Sequence, residues 1–118
     1  MVLKQCYELF GGDYEGVISR LLKEERVKKF LIKFGDDQTF NVLTDMIAAE
    51  NYEEAFRAAH TIKGLCQNLG FERLYKSAAA LTEALRGGKK PEDDSIYQQV
   101  KEDYEQIIDA IKLLDDEQ

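Results

Sequence analysis

The spacing of apolar residues constrains this chain more than any other feature of its sequence. Apolar side chains recur three and four positions apart almost from end to end, a period that matches the roughly 3.6 residues of one helical turn. Glycines interrupt the pattern at Gly11-Gly12, Gly35, Gly70 and Gly87-Gly88. The pattern predicts an all-α protein made of amphipathic helices joined by short links.

Capping residues and breaks define the expected helices. These are about 2–9, 13–34 as one helix or two, from Asp36 or Asp37 to about Asn51, 52–69, 71–85, and from Asp93 or Asp94 to about 114. Asp13 is a candidate N-cap, and the charged run 23–26 is a candidate break. Gly70 is well placed to end the helix 52–69. The expected fold is an antiparallel four-helix bundle, about residues 13–114, with an additional N-terminal helix or helices.

Length and charge exclude several kinds of protein. A chain of 118 residues fits one domain, residues 1–118, with one core. A net charge of −7 argues against nucleic acid and against a membrane surface as partners, because both require a basic face. The sequence contains neither a signal peptide nor an apolar run long enough to span a membrane, so a cytoplasmic protein is expected. A monomer is also expected, since the chain can build a bundle alone.

The predicted helix 52–69 contains the single histidine, His60, which is expected to face solvent. Five residues of this helix form its predicted core face: Ala55, Ala59, Ile62, Cys66 and Leu69. At about 100° per residue, His60 lies well away from the centre of that face. Residues on the histidine's side include Phe56, Arg57, Lys63, Gly64 and Gln67. These residues predict a functional site on the protein surface around His60.

Gly64 is unusual because it lies in the interior of this predicted helix. Glycine costs about 1 kcal/mol of helix propensity relative to alanine, and no turn or break at this position explains the cost. A missing side chain one turn beyond His60 would let the backbone of another protein come close.

These residues resemble a known motif. The run Ala59-His60-Thr61-Ile62-Lys63-Gly64, followed by Asn68-Leu69-Gly70, is similar to the phosphorylation motif of histidine phosphotransfer (HPt) domains. The resemblance extends over roughly residues 13–114, and it implies a helical bundle that relays phosphoryl groups between receiver-domain aspartates. Leu65 and Gln67 are larger than the residues usual in the family, which leaves partner choice open.

The resemblance also implies roles for individual residues. His60 would be the phosphorylated residue, because an exposed, mostly neutral imidazole keeps a lone pair for attack on phosphorus. Lys63 would screen the phosphoryl charge, and Gly64 matches the family glycine. Spacing adds that Gln67 could hydrogen-bond the phosphoryl oxygens. The implied partners are response-regulator receiver domains, which would supply the Mg²⁺, and a hybrid sensor histidine kinase. This chain itself would need no cofactor or metal and would have no kinase or phosphatase activity.

Phe56 and Arg57 are candidate docking residues, each with a simpler interpretation. A half-exposed Phe56 beside His60 would suit a docking surface, but it could equally pack against a neighbouring helix. Arg57 could steer an acidic receiver face, although a surface arginine is more often only a solvated charge.

Other functions fit the sequence less well. One histidine and a cysteine on another face do not make a metal site, and neither a nucleophile–base motif nor a P-loop is present. The phosphoacceptor hairpin of a sensor kinase would place an acidic residue and then a proline after its histidine, whereas Thr61 and Ile62 follow His60. A ligand-binding bundle would need polar residues on the inward helix faces. The main alternative is a noncatalytic helical adaptor that binds receiver or kinase domains without being phosphorylated.

Overall fold

The computed structural model describes the backbone of residues 2–116 and the side chains of residues 2–114, and in this part of the chain every regular element is helical. The elements are α1 (Leu3–Leu9), α2 (Tyr14–Leu21), α3 (Glu24–Asp36), α4 (Thr39–Ala48), α5 (Tyr52–Leu69), α6 (Glu72–Leu85), a short 3₁₀ turn (Arg86–Gly88) and α7 (Ser95–Asp116). The predicted all-α class is confirmed. None of the helices described is both long and apolar enough to cross a membrane.

The bundle is built around α5. This helix packs against α4 and α6, α6 packs against α7, and α3 packs against α7 and α5. α3 and α4 both contact Tyr104 of α7. Phe40 stacks on the Tyr104 ring at 4.0 Å between centroids, and Phe34 meets it at 5.7 Å with the rings tilted by 53°. The expected helical bundle with additional N-terminal helices is confirmed.

Two helix boundaries differ from the predicted ones because of local capping. α2 ends at Leu21, and its C-cap Leu22 has a left-handed φ of 70°, so the break precedes most of the charged run 23–26. α3 continues through Asp36, so the prediction that Asp36 could cap the next helix was wrong. The N-cap of α4 is Gln38, so Asp37 lies one residue earlier than predicted, although its carboxylate does accept a hydrogen bond of 2.7 Å from the N–H of Thr39, the first residue of α4.

The end of α4 also differs from the expected position near Asn51. α4 ends at Ala48, and Asn51 is the N-cap of the next helix. Its side-chain oxygen accepts the Glu54 N–H at 3.3 Å and so caps the N-terminus of α5. The bounds of α5, Tyr52–Leu69, are those that the sequence predicts.

The N-terminal helices form hydrogen bonds to the C-terminal end of α5. The Tyr7 hydroxyl donates to the Leu69 carbonyl at 2.6 Å, and the Asp13 N–H donates to the Gly70 carbonyl at 2.7 Å. Arg20 of α2 donates to the carbonyls of Gln67 and Asn68 at 3.3 and 3.2 Å. The last carbonyls of a helix have no partner within it. α1 and α2 therefore satisfy the C-terminal end of α5 and fix its position.

Candidate functional site

α5 exposes His60 while burying the opposite face of the helix. The five residues of the predicted core face are all buried, and Ala58 is buried with them. His60 is exposed, as its position relative to that face predicts. Since α4 and α6 pack on both sides of α5, the histidine lies on the strip of helix that remains uncovered between them.

Phe56 lies beside His60, one turn earlier. The two rings are nearly parallel, with 6.2 Å between centroids and 16° between planes. Phe56 is half-buried, and the guanidinium of Arg86 lies 5.2 Å from its ring centroid. Phe56 therefore packs against the end of a neighbouring helix and also borders the histidine, and its role in docking stays a prediction.

Lys63 lies one turn beyond His60, on the α6 side. Its ammonium group is 6.0 Å from the ring centroid of Tyr75 on α6, close to the limit for a cation–π contact. Lys63 is half-buried, which is common for lysines that pack their aliphatic stem along a neighbour. Its charge is thus held near α6, next to the uncovered strip.

Gly64 borders open space. A Cβ placed on Gly64 would meet no atom within 4 Å. Packing within the described chain therefore does not require a glycine here. By contrast, Gly70 has a left-handed φ of 71° where α5 ends, a conformation that other residues rarely adopt.

Gln67 and Arg57 lie on opposite sides of the strip. Gln67 is exposed and borders a groove shared with Tyr75 on the α6 side. Arg57 lies on the α4 side and pairs with Glu54 at 2.8 Å in an exposed contact. Such surface pairs contribute little to stability. The structure thus brings Phe56, Lys63 and Gln67 together on one side of His60 and separates Arg57 from them.

Sequence reasoning missed the contribution of α6. Tyr75 contacts Lys63, and Arg86 contacts Phe56. Glu83 holds Arg86 by two hydrogen bonds of 2.7 and 3.0 Å. These bonds, and more weakly the charge of Lys63, lower the pKa of Glu83. The helical spacing of Tyr75 and Glu83 could have placed them on one face of α6, but not shown that this face borders α5, and Arg86 lies in the 3₁₀ turn that follows the helix.

The chemistry available at this site is that of an exposed imidazole beside the Phe56 ring, with Lys63 one turn away on the same helix. Cys66 does not offer a second nucleophile, because burial raises its pKa to about 12 and keeps the thiol protonated. Within residues 2–114, no group of three or more histidine, cysteine or acidic side chains is arranged to hold a metal ion.

Comparison with known proteins supports the resemblance. A family model described as the Hpt domain matches residues 30–110, which is more than half of the chain and includes all of α4, α5 and α6. Searches of curated proteins and of solved structures found no match. The motif helix, the helical bundle and the length of the family match agree, and the chain belongs to the Hpt domain family.

Proposed function

We propose that this chain, residues 1–118, acts as a phosphorelay intermediate that carries a phosphoryl group on His60. One observation supports the proposal above all. In a member of the Hpt family, the single histidine is exposed on α5, with Lys63 and the open position at Gly64 one turn away. This arrangement gives an incoming phosphate a nucleophile, a cation and free space.

Phosphoryl transfer requires few reactive groups from this chain. A ring nitrogen of His60 would form a bond to phosphorus as the bond from phosphorus to the aspartate oxygen of a receiver domain breaks. The aspartate carboxylate keeps the electron pair. Phosphoryl transfer depends chiefly on in-line positioning and charge stabilisation. Lys63 would stabilise the phosphoryl oxygens as they move, and Gln67 would donate a hydrogen bond to them.

The proposed partners are response-regulator receiver domains and a hybrid sensor histidine kinase, which meet this chain in the cytoplasm. They would dock on the strip around His60, contacting Phe56, Arg57, Lys63, Gly64 and Gln67. The receiver would supply Mg²⁺ for the reaction. In this proposal the chain is a phosphocarrier and not an enzyme, and it acts as a monomer.

The test is uptake of radiolabelled phosphate from several phosphorylated receiver domains by the wild type and by His60→Gln. We expect label on the wild type alone, lost in acid and kept in alkali, as for a phosphohistidine. Because His60 is exposed, His60→Gln should leave helicity and melting unchanged, which circular dichroism would measure.

Two results would contradict this proposal. If folded wild type takes up no label from any receiver, the noncatalytic adaptor becomes the better function. If His60→Gln carries as much label as the wild type, the phosphoryl group is attached elsewhere.

A further inference from the structure

The outer face of α3 carries a row of cations in an otherwise acidic chain. Lys23, Arg26, Lys29 and Lys33 are exposed and recur at three- and four-residue intervals, which places them along one face. Residues 23–33 contain five cations and two carboxylates. The local net charge is therefore +3, and the rest of the chain carries −10. We call these four side chains the basic row.

An aromatic side chain interrupts the basic row. Phe30 is 40% exposed, and the ammonium group of Lys33 lies 5.7 Å from its ring centroid. With the basic row and one carboxylate, Glu25, Phe30 lines a shallow cleft of about 430 Å³. An exposed aromatic residue flanked by cations is typical of a protein-binding surface more than of a merely solvated helix face.

This surface continues onto the motif helix. A second groove, of about 280 Å³, runs between α3 and α5. Its lining residues are Phe30, Lys33, Phe34, Asp37, Leu65, Asn68 and Leu69. Phe30 and Lys33 line both depressions. An apolar groove therefore connects the basic row with the helix that carries His60.

The distances suit one partner covering both regions. Leu65 and Asn68 lie five and eight residues beyond His60, or about 7.5 and 12 Å along the helix axis. A typical protein interface covers about 800 Å² on each partner, which corresponds to a disc with a radius of about 16 Å. Along the axis of α5, a partner centred on His60 would thus extend past Leu65 and Asn68, which line the α3–α5 groove together with Lys33.

We propose that the protein that docks over His60 also rests on the basic row. It would place an apolar side chain in the groove between Phe30 and Leu65 and carboxylates against Lys29 and Lys33. This inference rests on the proposed function and adds the chemistry of the partner: an acidic surface segment with an apolar anchor. A nucleic acid fits less well, because the apolar groove offers nothing to phosphates and the remaining charge of −10 repels a polyanion.

The experiment measures the rate of phosphoryl transfer from a phosphorylated receiver domain over a range of receiver concentrations and salt. In Lys29→Glu/Lys33→Glu, we expect transfer at low receiver concentration and low salt to slow about tenfold or more, because steering charges act on association. The difference should shrink at high salt. The rate at saturating receiver should match that of the wild type.

The matched control is Lys76→Glu/Lys101→Glu, which changes the net charge equally. Both lysines are exposed, on α6 and α7, and neither lines either groove. We expect this variant to transfer at nearly the wild-type rate. Equal slowing of both double variants would overturn the inference, since total charge would then be the cause.

Different experimental results would contradict the inference and the proposed function. If the wild type accepts phosphoryl groups and the α3 variant matches it at every concentration, the proposed function stands and the inference is wrong. If the wild type accepts none from any receiver, both are wrong.

Discussion

At the scale of single residues, Gly64 carries the clearest sign of a role outside the fold. It lies in the interior of α5, where glycine destabilises a helix, and its side-chain position is empty. A residue that reduces stability and fills no intramolecular need is expected where a partner must approach closely. Replacing Gly64 by alanine should therefore raise the stability of the protein and lower its rate of phosphoryl transfer.

Gly64→Ala tests this expectation. The added methyl group meets no neighbour, so we expect the free energy of unfolding to rise by about 0.5–1 kcal/mol. Phosphoryl transfer from a receiver should nevertheless slow, because the methyl group would block the partner's backbone. Urea unfolding and transfer kinetics measure the two effects.

Gly35→Ala is the matched control for this prediction. Gly35 lies within α3, and a Cβ there would make an ordinary contact of 3.5 Å with Ile111. It should stabilise the protein similarly without slowing transfer. Unchanged transfer in Gly64→Ala would show that no partner approaches this position.

At the scale of elements, α5 is held at its end by parts of the chain far away in sequence. The Tyr7 hydroxyl is buried with its hydrogen bond to the Leu69 carbonyl, while Asp13 and Arg20 satisfy the neighbouring carbonyls. A helix whose last turn is fixed keeps its side chains in register with α4 and α6. α1 and α2 thus contribute to presenting His60 although they lie far from it in sequence.

Tyr7→Phe measures this contribution. It removes the hydroxyl and leaves the buried Leu69 carbonyl without that donor, so we expect a loss of about 1–2 kcal/mol in the free energy of unfolding. Hydrogen exchange should quicken in the last turn of α5. Urea unfolding and amide exchange provide the measurements.

Tyr14→Phe serves as the control, because the Tyr14 hydroxyl makes an exposed hydrogen bond of 2.5 Å to Glu24. We expect this variant to lose less than about 0.5 kcal/mol. Equal losses in the two variants would show that the Tyr7 hydrogen bond does not anchor α5.

At the scale of the whole molecule, burial of protonated groups links stability to pH. Burial raises the pKa of Cys66 to about 12 and also raises the pKa values of Cys6 and Tyr7. Above the ordinary thiol pKa, the unfolded chain releases protons that the folded chain keeps. The stabilisation is therefore complete below about pH 9 and is lost as the pH rises towards 12.

We expect the free energy of unfolding to fall as the pH rises from 9 to 11, measured by urea unfolding with a reductant present. Cys66→Ala removes the thiol that burial shifts to about 12. It should start from a lower stability because of the small cavity but decline less steeply. Parallel declines in the two proteins would show that the Cys66 thiol contributes nothing to the alkaline loss.

Much of this molecule could be predicted from local pattern. The apolar spacing identified the helices and the core face of α5, and the position of His60 relative to that face predicted its exposure. The family motif singled out Lys63 and Gly64 by their offsets from His60. These features depend on residues close together in sequence, where helical geometry alone relates one side chain to the next.

The tertiary structure decided how the helices face one another. Periodicity shows which side of a helix is buried, but it does not say which neighbour lies on each flank of that side. Tyr75 and Arg86 therefore belong to the site only because α6 and the turn after it pack against α5. Likewise, only the folded bundle brings α1 and α2 into contact with the C-terminal end of α5. It also places Phe30 and Leu65 on the two sides of one groove. Such contacts join residues distant in sequence, and the rotation and order of the packed helices create them.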